Sequence, residues 1–377
     1  MNQLKDVKKI LISRLRFMGD IILSTPVIRA LNEFYPDAQI AYLAETPYIS
    51  LLENHPLVRK LYPFDFRAYR RMNALKSTFA QLRFFKSIRD ERFDLAFDLF
   101  GNPRSALQIW LAGARSRVGG DFSGRSVLYT DRVNYHGKKF NAIQFHLHAL
   151  EAIGIPVPKE NPRTKIFTTE SEDVRALDFL QSKGLDLTKP IVGIHPGATW
   201  PAKKWFIERF ARLARQLVRE RDLQVYITAG PGEQHLVDKI RTLSQSDIFS
   251  GEVLVLRQLA ALLKQFDVYI SNDCGPLHLA AAVGTRTIGI FGPGEPDVWF
   301  PYSEADGHRF IHHPPSCWLC HKDFCESMLC MKAITVEEVF NAAVQSLNDN
   351  NFPTKIRFKS ASSAFAADDD LTGSADV

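Results

Sequence analysis

The sequence predicts an α/β protein of two doubly wound parallel-sheet domains that face each other across a cleft. Three observations carry that prediction. Short apolar, β-prone runs alternate with helical runs along both halves, the pattern of β-α-β crossovers rather than hairpins. The loops after those runs are rich in Gly and Pro, as turns at the carboxyl edge of an open sheet are. A stretch punctuated by Pro156, Pro158 and Pro162 separates the two series. The expected units are an N-terminal domain over 1–168, a C-terminal domain over 169–350 and a tail over 351–377. In the tail Ala, Ser, Asp and Lys dominate without any period, so it is expected to be disordered.

In the first half the pattern predicts strands over 9–13, 39–43, 58–62 and 94–99. Helices are expected over 21–34, 46–53, 73–90, 103–111 and 140–153. Tyr35-Pro36 stops the first helix, and Gly154 follows the last. The second half reads as a helix over 171–183, a strand over 191–194, a helix over 205–219 and a strand over 224–228. A helix over 258–266 then leads into the stretch around which the chain is organised, 267–296. There a buried strand over 268–271 runs into Asn272-Asp273-Cys274-Gly275-Pro276, a helix over 277–283 and a second strand over 287–291. Pro276 suits the first helical position and Gly284 the position past the end. Thr335-Val336-Glu337-Glu338 fits a capping box opening the last helix, to about 347.

The chain has 377 residues, 45% hydrophobic and 24% charged, which suits a soluble globular protein with two cores. No run of about 18 apolar residues exists, and the first residues lack a cleavable signal, so a cytoplasmic protein is expected. Charge is unevenly placed: between 67 and 92 eight Lys/Arg stand against only Asp90 and Glu91, interleaved with Phe66, Tyr69, Phe79 and Phe84. Such a stretch is a solvated helix face, or a surface for anionic lipid or a phosphorylated acceptor. No nucleic-acid-binding module accompanies it, so nucleic acid is not an expected partner.

The loop after the 268–271 strand is a natural anion site, because helix N-termini present free N–H groups and a positive dipole end. The alternative is a helix merely capped by Asp273. Asp20 likewise reads as a base at the mouth of the first sheet or as an N-cap. Lys203 reads as a phosphate ligand or a surface lysine, and Glu233 as a ribose ligand or a complement to a helix dipole.

Four loops resemble those of the bacterial ADP-heptose:lipopolysaccharide heptosyltransferases. They are Gly19-Asp20 with Pro26, His195-Pro196-Gly197 with Lys203-Lys204-Trp205, Gly230-Pro231-Gly232-Glu233, and 272–282 followed by Phe291-Gly292-Pro293. The resemblance covers roughly 8–345 with order and spacing kept. It implies a GT-B-like fold with the donor on the C-terminal domain and the acceptor on the N-terminal one. It also implies an inverting, metal-independent transfer from a nucleotide-diphosphate sugar, most simply ADP-heptose. The acceptor would be lipopolysaccharide core or a related lipid-linked sugar at the inner-membrane surface. Residue by residue, Asp20 matches the general base, Lys203 a lysine on the donor phosphates and Glu233 a carboxylate near the nucleoside. Asp273, Cys274, Gly275, Pro276, Leu277 and His278 match the donor-binding helix start. Arg16, Arg67, Arg70 and Arg71 are candidates for an anionic acceptor. Two positions depart from the pattern: Cys274 replaces a more usual Ser or Thr, and Arg16-Phe17 replace smaller residues.

Cys317-x2-Cys320-x4-Cys325-x4-Cys330, near His312, His313 and His321, admits either a structural metal or free thiols. The spacing matches neither the paired zinc-ribbon pattern nor the plant ferredoxin run. Cys274 and His278, four apart at a helix start that would lower a thiol pKa, admit a thiol nucleophile, though no nucleophile-elbow pattern surrounds them. The only acidic triplet, Asp368-Asp369-Asp370, lies in the tail, so no divalent cofactor is expected. Two rival functions stand beside transfer: an epimerase-like nucleotide-sugar enzyme, and a non-catalytic binding protein with a metal-clasped Cys loop.

Overall fold

The computed structural model describes residues 6–122, 124–320, 322–351, Lys355 and Arg357. The first half forms one parallel sheet from β1 (Lys9–Ser13), β2 (Gln39–Glu45), β3 (Val58–Phe64), β4 (Leu95–Asp98), β5 (Ser116–Gly120) and β6 (Asp131–Val133). The second half repeats this with β7 (Ile191–His195), β8 (Gln224–Ile227), β9 (Phe249–Ser250), β10 (Val268–Asn272), β11 (Arg286–Phe291) and β12 (His308–His312). The spatial orders are β3-β2-β1-β4-β5-β6 and β12-β11-β10-β7-β8-β9, one order twice. Strand order therefore reverses between β1 and β4 and between β7 and β10. Those switch points are where open α/β sheets leave a crevice at the carboxyl ends.

The central strands bury both faces, which is why they read as unbroken apolar runs: Ile10, Leu11 and Ile12 in β1, and Val268, Tyr269 and Ile270 in β10, are all fully buried. Strand β5 and the edge strands β6, β9 and β12 carry no such run and were not foreseen. The helix expected over 21–34 is two helices, Met18–Leu23 and Thr25–Phe34. Pro26, with no N–H to donate, forces the break at Ser24. Asp20 therefore lies in the first turn of a helix rather than ahead of one. The helix over 234–244 (Gln234–Ser244) was likewise not foreseen.

The two halves share apolar contacts, and one buried cluster runs from Ile12 and Ile22 through to Leu279 and Ala280. A polar tie reinforces the seam. Arg257 donates through Nε to Glu172 (2.9 Å) and through Nη1 to the Phe167 carbonyl (2.9 Å), while Asn54 of the first half donates to the same Glu172 (3.2 Å).

Most of the expected tail lies outside the described residues. Its two described basic residues are not loose. Arg357 forms a fully buried ion pair with Asp267 at the start of β10, and the Lys355 N–H donates to the other oxygen of that carboxylate (2.9 Å). The local pattern misses this because both contacts span about ninety residues. Removing one member of a buried pair strands the other charge. Arg357→Ala is thus expected to lower the unfolding free energy by about 3–5 kcal/mol, read from urea denaturation. A loss below about 1 kcal/mol would show that the pair is not held in the folded state.

Candidate active site

The donor-side geometry begins at the end of β10. The Asn272 side chain is fully buried; its oxygen accepts from the Trp205 N–H (3.0 Å), and its amide donates to the carbonyls of Pro196 (2.9 Å) and Gly197 (3.2 Å). One side chain thereby fixes the whole loop after β7, which carries Lys203. The Lys203 ammonium lies 2.5 Å from Asp273, with the Trp200 ring 4.8 Å away. The following helix spans Gly275–Ala282. Pro276 has no N–H, and that of Leu277 is taken by the Cys274 carbonyl (3.1 Å). Two of the first three helical positions thus offer no amide to a ligand, fewer than the sequence implied.

His278 is buried one turn into that helix and bonded through Nδ1 to the Tyr302 hydroxyl (2.9 Å). Burial holds its pKa below the ordinary histidine value, and nearby Lys203 adds to this against the opposing charges of Asp273 and Asp20. The imidazole is therefore neutral at pH 7. Cys274 contradicts the thiol-nucleophile expectation. Burial pushes its thiol up to about 12, and the adjacent Asp273 charge adds to this. A hydrogen bond with Ser271 (3.2 Å) does not offset them. Such a thiol stays protonated and unreactive.

Glu233 folds back so that its carboxylate accepts from the Gly230 N–H (2.8 Å) and stands 3.6 Å from His195 Nε2. A β-carbon on Gly197 would fall 2.2 Å from that carboxylate, so the glycine of the His-Pro-Gly block makes room for it. His195 is itself buried, bonded to Thr228 (3.1 Å), and burial lowers its pKa despite the Glu233 charge.

On the opposite wall, Asp20 accepts from the Phe17 N–H (3.0 Å) and pairs with the buried Arg14 guanidinium (2.5 Å). Arg14 lies over the Phe100 ring at 4.4 Å, and its Nε and Nη1 are buried without a partner. The two walls meet through small residues. A β-carbon on Gly19 would fall 2.8 Å from the His278 ring, and one on Gly275 would fall 2.3 Å from Met18 Cε. Asp20 and the Lys203–Asp273 pair therefore both exert their fields on the same His278 side chain, from opposite halves.

Between the walls lies a cavity of ≈ 880 Å³, lined by Phe17, Met18, Gly19 and Arg67 from the first half and by His195, Glu233 and Cys274–Pro276 from the second. Asp20, Lys203, Asp273 and His278 stand just behind this lining rather than on it. A second cavity of ≈ 930 Å³ lies along the 159–168 crossing segment and touches none of these groups.

The family model for glycosyltransferase family 9 (heptosyltransferase) matches residues 81–321. That is more than half of the chain. The chain belongs to glycosyltransferase family 9. It is 27% identical over 299 residues to lipopolysaccharide heptosyltransferase 3 of Escherichia coli K12, covering 77% of this chain and 84% of that protein. A family 9 glycosyltransferase of Veillonella parvula superposes with TM-score 0.82 at 22% identity, over 92% of this chain and 99% of that one. The E. coli heptosyltransferase WaaC solved with ADP gives 0.69 at 17% identity, over 90% and 99% of the two chains. The GT-B-like architecture expected from the sequence is the one this family 9 chain adopts.

Of the expected acceptor residues, Arg67 lines the cavity and Arg16 lies over Phe17, 5.1 Å from guanidinium to ring centre. Arg70 and Arg71 do not reach the cavity; they end the exposed helix Phe66–Arg71. Sequence reasoning missed Arg14, Phe100, Arg104 and Glu45. Glu45, its pKa raised by burial, sits in the fields of Arg16, Arg104 and Arg67. Their signal is only the register that sets the ends of β1, β2 and β4 side by side. Among the described residues no three His, Cys, Asp or Glu side chains stand at metal-ligand spacing.

The close approach of the two walls gives a graded test. Gly19→Ala drives a methyl into a ring held by Tyr302 and is expected to lower transfer kcat/KM at least about tenfold with little change in melting temperature. Gly275→Ala meets mainly the flexible end of Met18 and is expected to cost less. Steady-state kinetics on both variants check the order, and equal rates for Gly19→Ala and wild type would contradict the seam.

Proposed function

We propose that this enzyme transfers heptose from ADP-heptose to the lipopolysaccharide core or a related glycolipid, with inversion and without a metal. The observation that carries this reading is the placement of one carboxylate, Asp20, opposite the Lys203–Asp273 pair, with His278 between them. Direct displacement at an anomeric carbon needs a base on the acceptor hydroxyl, on the face opposite the leaving group. Asp20 takes that proton as the acceptor oxygen bonds to carbon. A carboxylate has about four lone-pair sites, and the Phe17 N–H and Arg14 occupy two of them.

The bond from carbon to the diphosphate breaks, and ADP leaves with the electron pair. Lys203 and the remaining main-chain donors near Gly275 stabilise that charge. The base and ribose would lie towards Glu233, whose free oxygen can accept from a ribose hydroxyl. The buried, partnerless N–H groups of Arg14, with Arg16 and Arg67 nearby, favour an acceptor that bears a carboxylate or phosphate.

The helix Ala74–Arg89 supports a peripheral membrane site on the cytoplasmic face of the inner membrane. Its inner face buries Phe85 and Ile88, while Leu75, Phe79 and Leu82 are 75%, 71% and 49% exposed, at spacings of four and three. Lys76, Arg83 and Lys86 lie on the same helix. An apolar stripe beside basic residues suits an anionic bilayer. No helix among the described residues is long and apolar enough to cross a membrane.

Asp20→Asn keeps the shape and removes the proton acceptor. Transfer is expected to fall by about 10²–10⁴ while thermal stabilisation by ADP persists. Wild-type turnover in that variant would end the base assignment, and turnover of donor without acceptor would favour an epimerase. Replacing Leu75, Phe79 and Leu82 by Ser is expected to abolish flotation with phosphatidylglycerol vesicles while leaving kcat on a detergent-free truncated acceptor unchanged. Undiminished flotation would rule this stripe out as the docking face.

A further inference from the structure

We propose that Tyr302 is a positioning residue for transfer: by donating its hydroxyl hydrogen to Nδ1 of His278, it fixes that imidazole as the Nε2–H tautomer and turns the N–H towards the wall that carries Asp20. The Tyr302 oxygen lies 2.9 Å from Nδ1, and the Thr164 side chain is its second hydrogen-bond partner. The phenol ring is clamped where it stands. Phe300 packs edge-on at 5.1 Å, His308 lies at 5.3 Å, and the Tyr302 N–H donates to the Phe300 carbonyl (2.8 Å). Thr164 is buried and belongs to the 159–168 segment that crosses between the halves, so one hydroxyl ties that crossing to the site.

A neutral imidazole carries one N–H, and which nitrogen holds it is decided by the bond that the other nitrogen makes. Two arrangements satisfy the three groups. In one the phenol donates to Nδ1 and accepts from Thr164, which leaves the hydrogen on Nε2. In the other Nδ1–H donates to the phenol oxygen, and the phenol donates to Thr164. The first arrangement joins the better donor to the better acceptor, because a phenol is far more acidic than an alcohol and an imidazole nitrogen far more basic than a hydroxyl oxygen. Tyr302 has that hydrogen to give: burial holds its phenol above the ordinary tyrosine range, and the Thr164 bond does not offset this.

The other edge of the ring says what the tautomer does. A β-carbon on Gly19 would lie 2.8 Å from Cδ2 and 3.4 Å from Nε2, so this edge faces the first turn of Met18–Leu23, the turn that carries Asp20. Among the described residues Nε2 has no hydrogen-bond partner. It stands between the Asp20 wall and the Lys203–Asp273 pair, whose charges both reach the ring. A donor held there favours the negative charge that develops as the diphosphate leaves, whereas a lone pair would oppose it. The tautomer itself is independent of the function proposed above; only its effect on transfer rests on that reading.

The test begins with the full-length wild type carrying nitrogen-15 histidine, its His278 signals identified as those missing from His278→Gln. A protonated Nε2 and a bare Nδ1, told apart by their nitrogen shifts, are expected near neutral pH, a check on the wild type itself. Tyr302→Phe removes the donor and should show a mixed or reversed tautomer with little change in melting temperature. Its kcat for transfer is expected to fall about tenfold while the KM for ADP-heptose stays within about twofold, the split expected when a contact is made in the transition state only. Thr164→Val leaves the phenol its bond to Nδ1 and should keep both the tautomer and kcat within about twofold. Hydrogen on Nδ1 in the wild type would overturn the proposal. So would an unchanged kcat in Tyr302→Phe, or an equal loss in Thr164→Val. An Nε2–H signal in a wild type that moves no heptose from ADP-heptose would instead count against the donor reading.

Discussion

The packing of the first helix of one half, Met18–Leu23, against the helix Gly275–Ala282 of the other positions the groups of the site. Gly19 lies against the His278 ring and Gly275 against the flexible end of Met18, so a side chain at either position would displace its neighbour. Interiors packed to this density transmit displacement rather than absorb it. The separation between Asp20 and the Lys203–Asp273 pair is thus set by glycine backbone packed against the His278 and Met18 side chains. His278 keeps its place because Tyr302 holds its Nδ1, and burial keeps it neutral, so it separates two charged groups without adding a third.

Each sheet solves the problem of aiming its loops in the same way. In both halves the strand beyond the switch point ends in a buried side chain of the Asp/Asn type. Asn272 ends β10 and binds the loop after β7. Asp98 ends β4 and accepts from the Tyr129 hydroxyl (2.6 Å), the Ser105 hydroxyl (2.8 Å) and the N–H groups of Phe100 (3.0 Å) and Gly101 (2.9 Å). Burial raises the Asp98 pKa despite these donors, but four hydrogen bonds satisfy the group where an unpaired one would be costly. The result is that Phe100 stands under Arg14, and Arg14 stands against Asp20. A chain of contacts from the strand end to the carboxylate does in the first half what one amide does in the second.

Much of this was legible in the sequence because it is local. The four loops are compact blocks of Gly, Pro, His, Asp and Lys at carboxyl strand ends, and the central strands are apolar without alternation. What was illegible is long-range or weakly patterned. The edge strands β6 and β9 are only three and two residues long, and β5 and β6 carry Ser116, Arg117, Asp131 and Arg132, so no period marks them. Arg257–Glu172 and Arg357–Asp267 pair across about ninety positions, where sequence offers only two unremarkable charges. Pro26 was noticed as part of a motif, yet its missing N–H, which splits the first helix and places Asp20 within the opening turn, is the physical consequence that matters. The basic stretch at 67–92 combined two roles in one pattern: Phe85 and Ile88 belong to the core, whereas Leu75, Phe79 and Leu82 do not.

The Arg14–Asp20 pair brings out a tension that no local pattern of residues marks. A base, the role proposed for Asp20, must be free enough to accept a proton, yet held well enough to be aimed, and misplacement by about 1 Å can cost about a hundredfold in rate. Here the aiming is done from within the first half, by the Phe17 N–H on one oxygen and Arg14 on the other. Neither hydrogen-bond donor comes from the second half, so the carboxylate is aimed from within its own half. The guanidinium in turn is held by Phe100 over its face, which leaves two of its nitrogens without partners in a buried setting. A buried donor without a partner costs roughly 1–3 kcal/mol, so the first half carries a standing cost beside Asp20.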